Sequence, residues 1–448
     1  MTIFEKTIKI ELMKKLLLLL SIASCSVANA QWTPQATGFA TAARGLSEIK
    51  IVDANIVWAT AYDGTAPTTE IQEFTRTVNG GTNWTPGIIN VGDTALGINN
   101  ISPISATTAW VSAVHPVTGT GSVVYKTSNA GVSWEQQNPT GYTSATSFVN
   151  FVHFFNANVG FSEGDPVSGE FEIYRTTNGG DNWTLVPGAN IANPLAGEFC
   201  YNGGNVVIGS NVWLPGNRGR ILRSTDMGLT WTAHQAPLTD FSSTAQSGTL
   251  HFSDANIGCL LKTVGTTYTF YTTTDGGVTW SAGTPFTGTR RILNYIPGTT
   301  TIVATGVGAL AGTSVSPNNG LTWINVESDD QRGASAFLNS TTGWCAGLSV
   351  NIITDGVFKL TGPLGNVAFE STSKFIIYPN PANNTITIAA SAIESYKLSV
   401  ADLTGKVLIE KSLNGIENTI DISSLSKGVY FFTLNSGDKI ETVKIIKN

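Results

Sequence analysis

Short apolar runs separated by polar turns recur along most of the chain, and no stretch has the spacing of a long amphipathic helix. A typical unit is Ile51-Val-Asp-Ala-Asn-Ile-Val-Trp58, in which a turn of Asp and Asn separates two apolar strands. Clear copies begin at Phe154, Phe252 and Phe337, and weaker ones end near Trp110, Ile208 and Val303. The pattern predicts seven regularly spaced hairpins of one kind.

A second phrase follows the first six hairpins. It begins with Ser or Thr, has Asp or Asn two residues later and Gly two residues after that, and ends on Trp. The tryptophans step by 50, 49, 48, 49 and 43 residues and are Trp84, Trp134, Trp183, Trp231, Trp280 and Trp323. The phrase resembles the Asp-box (BNR) repeat of sialidases, sortilin-type receptors and photosystem II assembly factor-like propellers.

The chemistry of this box explains its residue types. An Asp or Asn side chain accepts backbone N–H bonds inside a tight turn, Gly adopts a left-handed backbone, and Trp packs beneath the turn. We therefore predict a structural role, and not a catalytic one, for the six Asp or Asn residues as well as for the tryptophans. The six are Asn79, Asn129, Asn178, Asp226, Asp275 and Asn318.

One period supplies four strands, the size of a propeller blade. The seventh period keeps Thr354-Asp-Gly356 but lacks the final Trp, whereas Gln31-Trp-Thr-Pro34 repeats the Asn83-Trp-Thr-Pro86 ending one period earlier. We expect this N-terminal strand to complete the last blade, which removes an exposed sheet edge. The fold class predicted for residues 31–365 is an all-β, seven-bladed β-propeller, with six or eight blades as alternatives.

The periodicity stops after Gly365, and residues 366–374 are interpreted as a linker. Residues 375–448 contain Tyr378-Pro-Asn-Pro381, Asp402-Leu-Thr-Gly-Lys406, Leu425-Ser-Lys-Gly-Val-Tyr430 and Lys444-Ile-Ile-Lys447. In order and spacing these resemble the type A C-terminal sorting domain of the Bacteroidota type IX secretion system. Their short alternating strands predict a small β-sandwich. The alternative is an accessory sandwich with no sorting role.

The resemblance to a sorting domain has consequences for partners and location. It implies that the type IX secretion machinery is a partner, that the chain crosses the outer membrane, and that this module is then removed. The mature protein is expected to be released or attached to surface glycolipid.

The N-terminus predicts export through the periplasm. Lys14 and Lys15 precede the apolar run Leu16–Ala23, and Ala28-Asn-Ala30 fits a signal-peptidase site, so residues 1–30 are interpreted as a signal peptide. The apolar run is too short to span a bilayer. The alternative is a lipobox, Ile22-Ala-Ser-Cys25, in which Cys25 is lipidated.

Three cysteines remain in the mature chain, Cys200, Cys259 and Cys345. Their odd number leaves at least one of them without a disulfide partner in the chain. We predict that they are small buried side chains, with a disulfide between two of them as the alternative. They lie far apart in sequence, and the chain has no His-Glu-x-x-His, phosphate loop or calcium loop. No cofactor or metal is therefore expected.

Composition and charge restrict the kinds of partner that the chain is expected to bind. Charged residues make up only 12% of the chain, the net charge of −6 is spread thinly, and Lys and Arg form no cluster that would neutralise phosphates. Nucleic-acid binding is therefore not expected.

Charged residues in such a chain are candidates for binding where they fall in loops opposite the box turns. These binding candidates are His115, Glu170, Arg218, Arg220, Arg290, Arg291, Asp329 and Asp330. The sharpest catalytic candidates are Glu163 and Asp165, because with Glu170 they place three carboxylates in one predicted loop, and paired carboxylates serve glycoside hydrolysis. Against a sialidase, Arg220-Ile-Leu222 and Arg291-Ile-Leu293 lack the proline of the Arg-Ile-Pro phrase.

Two functions remain open from the sequence. The first is a non-catalytic, secreted or cell-surface module that binds a glycan or a protein. The second is a glycosidase-like hydrolase of extracellular polysaccharide that uses Glu163 or Asp165 as acid or base. Fold alone does not separate them, because propellers carry many unrelated activities.

Overall fold

Alternation of apolar and polar residues produces a chain built almost wholly of strands. The computed structural model describes residues 32–66, 69–137, 141–328, 330–362, 375–390, 395–415, 417–436 and 440–448. The predicted signal peptide with Cys25, the predicted linker and Asp329 lie outside the described residues. The chain divides into two compact units, Met1–Gly365 and Asn366–Asn448.

The first unit contains the repeats. Its strands are β1 (Trp32–Ala36), β2 (Arg44–Ile51), β3 (Val57–Asp63), β4 (Glu73–Thr77), β5 (Thr85–Ile88), β6 (Gly97–Pro103), β7 (Ala109–Val114), β8 (Val123–Thr127), β9 (Glu135–Gln136), β10 (Val149–Phe154), β11 (Gly160–Val167), β12 (Glu170–Thr176), β13 (Thr184–Leu185), β14 (Val206–Ile208), β15 (Asn211–Pro215), β16 (Arg220–Ser224), β17 (Thr232–Gln235), β18 (Ser247–Phe252), β19 (Gly258–Val264), β20 (Thr267–Thr273), β21 (Thr284–Pro285), β22 (Ile292–Tyr295), β23 (Ile302–Gly306), β24 (Gly312–Ser316), β25 (Ile324–Ser328), β26 (Ser335–Asn339), β27 (Thr342–Ala346) and β28 (Gly356–Leu360). Two short 3-10 turns, Gly188–Asn190 and Gly308–Leu310, lie between strands.

Among its described residues, the first unit forms seven four-stranded antiparallel sheets. Six are built from consecutive strands, from β2–β5 to β22–β25. The seventh joins β26, β27 and β28 to the N-terminal strand β1, in which Trp32 faces Leu360 and Ala36 faces Gly356. The predicted pairing of the N-terminal strand with the end of the last period is therefore confirmed.

Apolar side chains join each sheet to the next. Trp58 and Phe74 of one sheet pack with Ile101 and Val111 of its neighbour. The series closes on itself, because Leu46 and Val57 of the β2–β5 sheet pack with Trp344 and Val357 of the seventh. The other five contacts join β6–β9 to β10–β13, β10–β13 to β14–β17, β14–β17 to β18–β21, β18–β21 to β22–β25, and β22–β25 to the seventh. The first unit is thus a ring of sheets, a β-propeller, and the all-β prediction is confirmed.

Antiparallel order gives the ring two different faces. The turns from first to second strand of every sheet, and those from third to fourth strand of the six sheets built from consecutive strands, lie on one side, which we call the turn face. They touch each other there, since the Gly80 amide donates to the Asn55 carbonyl at 3.0 Å, and Gly179 and Gly276 repeat the bond in their own sheets. The connections between second and third strands, and those between sheets, lie on the opposite side, which we call the loop face.

The second unit has its own apolar core. Its strands are β29 (Phe375–Tyr378), β30 (Thr385–Ala390), β31 (Ser395–Ala401), β32 (Val407–Asn414), β33 (Glu417–Asp421), β34 (Gly428–Asn435) and β35 (Ile440–Lys447). They form two sheets, β29-β30-β33 and β32-β31-β34-β35, whose buried residues include Ile388, Val400 and Phe432. The Asn380 side chain bonds Lys444 and Ile446 of the last strand, so the Tyr378–Pro381 phrase holds the C-terminus in place.

Candidate functional site

The box turns are closed by their own side chains. The side-chain oxygen of Asn79 accepts the Asn83 amide at 2.9 Å, and the Thr77 hydroxyl donates to that oxygen while it accepts the Gly81 amide. The same pattern recurs in the other five boxes at Asn129, Asn178, Asp226, Asp275 and Asn318. These side chains are therefore engaged within their turns.

In the two boxes that contain Asp, the turn stabilises the ionised form of the carboxylate. Burial would raise the pKa of Asp275, but hydrogen bonds from the hydroxyl and amide of Thr279 and from Thr273 lower it to about 2. Asp226 has the same partners at Thr230 and Ser224, and its pKa is lowered as well. A carboxylate so stabilised is a poor proton donor or acceptor at neutral pH.

The box tryptophans lie beneath their turns. Trp84, Trp134, Trp183 and Trp231 are buried, whereas Trp280 and Trp323 are half-buried. The two residues that follow the box Asn have a left-handed backbone, with φ of 66° at Gly80 and 88° at Gly81. Ala130, Met227 and Asn319 accept this conformation at the first of these positions without being glycine.

A basic residue one position before the box hydroxyl links neighbouring sheets, a feature that sequence reasoning missed. Arg76 donates to the Ala130 carbonyl of the next box turn at 3.2 Å, and its guanidinium lies 5.5 Å from the Trp58 ring centre. The same bond to the next turn is made by Lys126, Arg175, Arg223 and Lys359. The Arg or Lys that recurs before the box hydroxyl is the sequence signal from which this contact could have been predicted.

We predict that Arg76→Met lowers the free energy of unfolding by about 1–2 kcal/mol, because the Ala130 carbonyl loses a charged donor and Trp58 loses a cation. Urea denaturation followed by circular dichroism measures the change. Thr272→Met is the matched control, since Thr272 holds the same position in the fifth box and should change stability by less. Equal losses in the two variants would contradict the assigned role.

Three arginines on the loop face form ion pairs inside the protein. Arg44 bonds Asp63 at 2.8 Å and Glu73 at 3.0 Å. Arg220 bonds Glu198 and the Asn193 carbonyl. These partners are distant in sequence, so the pairing of Arg220 could not be predicted from its neighbours.

Arg332 and Asp330 form a third such group. The Arg332 guanidinium bonds Glu327 at 2.7 Å and Asp330 at 3.0 Å, and it lies 4.0 Å from the Phe358 ring centre. Asp330 itself is two-thirds exposed. Asp329, the other predicted acid of this connection, lies outside the described residues.

The predicted loop residues Arg290 and Arg291 have different environments. Arg290 is only 4% exposed, and its guanidinium bonds Ser314, Asn325 and the carbonyl of Ala311. It lines a pocket of about 720 Å³ that also includes Thr289, Leu310 and Gln331. Arg291 is half-buried with its guanidinium 3.9 Å from the Tyr268 ring centre. The Arg290 donors are thus occupied by the wall of this pocket.

The remaining binding candidates are scattered over the loop face. Half-buried His115 follows β7 and accepts the amides of Val117 and Thr118. Arg218 is exposed and donates to the Ala196 carbonyl at 2.8 Å. Glu170 is exposed at the start of β12. They belong to three different sheets or connections, and the contacts of each are local to its own connection or strand.

The stretch from Glu163 to Glu170 is a β-hairpin and not the loop that the sequence suggested. Glu163 lies inside β11, paired with Phe151 on one side and Ile173 on the other. All three are buried in the apolar contact between the β10–β13 and β14–β17 sheets, which includes Cys200. The loop interpretation was wrong because a register shift at Gly164–Pro166 lets the strand continue past the Gly-Asp-Pro sequence.

Glu163 therefore sits in an unfavourable place for a charge. It is 0% exposed, and neither carboxyl oxygen has a hydrogen-bond partner of normal geometry, although Asn150 and Cys200 lie nearby. Burial, with the neighbouring Asp165 charge, raises the pKa of Glu163 to about 8. Burial also raises the pKa of Asp165 to about 6, against a 2.8 Å hydrogen bond from Asn150. Burial thus favours the neutral, protonated form of Glu163.

The cysteines of the described chain are all buried and unpaired. Cys259 lies on β19 and Cys345 on β27, whereas Cys200 lies in the connection that precedes β14. Within the described ranges, no three His, Cys, Asp or Glu side chains are grouped so that they could hold a metal ion.

Comparison with known proteins identifies the family of the C-terminal module. Residues 376–448 match the family of secretion system C-terminal sorting domains. This confirms the predicted sorting module and indicates export by type IX secretion to the cell surface or beyond. No curated protein was found with a similar sequence. Across the described residues, no helix is long and apolar enough to cross a membrane.

Solved structures resemble the chain at low identity. YCF48 from Cyanidioschyzon merolae is 17% identical with a TM-score of 0.47, covering 73% of this chain and 98% of that one. YCF48 bound to D1 peptide is 13% identical with a TM-score of 0.46, covering 75% and 98%. PorZ, a surface component of the type IX secretion system of Porphyromonas gingivalis, is 13% identical with a TM-score of 0.43, covering 90% and 59%.

Proposed function

We propose that this chain is an exported, non-catalytic binding protein whose seven-bladed propeller presents its loop face to a glycan or a protein. In this proposal residues 1–30 are a signal peptide, residues 31–365 the propeller, residues 366–374 a linker, and residues 375–448 a sorting sandwich that engages the type IX secretion machinery. The mature protein then works at the outer-membrane surface or in the medium.

The ring of seven four-stranded sheets supports the blade count. The box residues, from Asn79 to Asn318, are proposed to be turn-closing groups, since their oxygens accept backbone amides within their own hairpins. Function is accordingly proposed for the loop face, where connections between strands differ from sheet to sheet.

The burial of Glu163 is the observation that carries the non-catalytic proposal. A general acid must come within hydrogen-bond reach of the group it protonates, and a side chain that is 0% exposed between two sheets cannot do so without opening the core. Asp165 alone does not supply the pair of carboxylates that glycoside hydrolysis uses. Three other loop-face acids, Glu73, Glu198 and Glu327, neutralise arginines.

A glycan array and a peptide library, both with the exported chain as probe and with a hydrolysis assay on every bound glycan, test the proposal. We expect binding without turnover, and the same result for Asp165→Ala and for the exposed control Glu170→Ala. Turnover that disappears in Asp165→Ala alone would establish the hydrolase instead. Failure to bind any glycan or peptide would refute the binding function.

A further inference from the structure

The connection between β27 and β28 displays unusually large apolar side chains on the loop face. Val350 and Ile353 are 76% and 77% exposed, and Leu348 and Ile352 are each 36% exposed. Tyr62, 39% exposed at the end of β3, lies beside this connection, because Gly45 bridges to Leu348 and faces the Tyr62 ring. We call these five residues the apolar patch.

The patch is held in a fixed shape. The Asn351 amide donates to the Asp355 carboxylate at 2.9 Å, and the Ile353 amide donates to the Asn351 side chain at 3.0 Å. Ser349 exchanges two backbone bonds with the neighbouring sheet, to Ala43 at 2.8 Å and to Arg44 at 2.9 Å. Hydrogen bonds therefore fix the backbone of the connection in a conformation that leaves the Val350 and Ile353 side chains exposed to solvent. A contiguous, ordered patch of this kind is typical of an interaction site.

The surroundings of the patch carry excess negative charge. On one side Arg44 is shared by two acids, Asp63 and Glu73. On the other side Arg332 is shared by Glu327 and Asp330, and Gly333 next to it bonds the Ala346 carbonyl at the start of the connection. Asp355 adds a further carboxylate inside the connection itself.

We propose that the apolar patch binds a partner protein through a segment in which aliphatic side chains stand next to lysine or arginine. Aliphatic groups of the partner cover Val350 and Ile353, and its cations complement the acids on either side. Four of the five patch residues are aliphatic and offer a sugar neither hydrogen-bond partners nor an aromatic face, and Tyr62 is the one aromatic side chain of the patch. This inference therefore narrows the proposed binding function, on which it rests, to a protein ligand.

The test uses the chain from Gln31 to Asn448 and a library of random peptides displayed on phage. We expect the selected peptides to be rich in aliphatic and basic residues, and their Kd to rise at least about tenfold in Val350→Asp/Ile353→Asp. The matched control is Val117→Asp, because Val117 is 87% exposed on the same face, between β7 and β8, and should leave Kd unchanged. Asp330→Asn should weaken binding and reduce its salt dependence.

Selected peptides that are acidic, or that bind the double variant as tightly as the unchanged chain, would overturn this inference. Self-association that disappears in the double variant would also overturn it, by assigning the patch to a second copy. If glycans bind and peptides do not, this inference fails while the proposed binding function stands. Thermal unfolding monitored by circular dichroism confirms that each variant is folded, and the substituted side chains are all exposed.

Discussion

Replacing Trp32 by alanine is expected to lower the free energy of unfolding of the first unit by about 3–5 kcal/mol, the range for large aromatic side chains in cores. Trp32 is 1% exposed, packs with Phe337, and donates its indole N–H to the Thr313 hydroxyl of the neighbouring sheet at 3.0 Å. It therefore fixes the strand that completes the seventh sheet both to that sheet and to the next. Guanidinium denaturation followed by far-ultraviolet circular dichroism measures the loss.

Two further variants distinguish the effect of detaching the N-terminal strand from the effect of removing a tryptophan elsewhere in the ring. Thr313→Val removes the acceptor of the indole hydrogen bond together with a 2.8 Å donor to Glu327, and should cost about 1–3 kcal/mol, less than Trp32→Ala. Trp323→Ala removes a half-buried tryptophan of the sixth box and should cost clearly less than Trp32→Ala. A small effect of Trp32→Ala, similar to that of Trp323→Ala, would mean that the N-terminal strand contributes little to ring closure.

The repeating part of the fold could be predicted because its determinants are local. A box places its hydroxyl, its Asp or Asn and its glycine within five residues, as in Thr77 to Gly81, so the sequence alone indicates where each turn lies. The pairing of β1 with β28 joins the two ends of the repeat region, yet it was predictable, because Gln31–Pro34 copies the ending of a complete period.

The candidate site was harder to predict because its determinants are non-local. Glu163 stands in a stretch rich in turn residues, and only the approach of the β14–β17 sheet, with Cys200, Val212 and Leu214, makes its position a buried one. The partners of Arg44 and Arg220 lie between 19 and 29 residues away. The sequence could therefore mark Arg220 as a candidate, but it could not show that either arginine is paired. Packing between repeats, and not the repeat itself, decides which charges face solvent.

Glu163 should lower the stability of the first unit as the pH rises from about 4.5 through about 8, and Glu163→Gln should remove this contribution. Below pH 6.5 the contribution is opposed by the buried His153 and His251, whose pKa values are lowered to about 3 and about 4. The folded state holds the Glu163 proton up to a pKa of about 8, whereas the unfolded chain releases it near 4.5. Between these values the folded state binds more protons than the unfolded state, so each increase in pH favours unfolding. Above pH 8 the penalty reaches its limit, up to roughly 5 kcal/mol for such a shift.

Urea denaturation of the unchanged chain, Glu163→Gln and Glu170→Gln at a series of pH values tests this expectation. The amide of Gln is close in shape to a neutral carboxyl group, so Glu163→Gln should match the unchanged chain in acid and exceed it in base. The exposed control Glu170→Gln should leave the slope with pH unchanged. Below about pH 6.5 the dependence that remains in Glu163→Gln reflects Asp165, whose pKa burial raises to about 6, and the opposing His153 and His251, whose pKa values burial lowers.

The same series also bears on function, since a raised carboxyl pKa is expected both of a buried structural acid and of a general acid in a hydrolase. The two differ in what the substitution does. A buried structural acid destabilises the fold at alkaline pH, where its carboxylate is charged. Replacing it by Gln therefore stabilises the fold and leaves ligand binding unchanged. A general acid donates a proton to its substrate, so replacing it by Gln abolishes turnover. Glu163, enclosed by Phe151, Ile173 and Cys200, is expected to behave as the structural acid, and a stable Glu163→Gln variant that binds normally would leave the loop face as the place where this protein recognises its ligand.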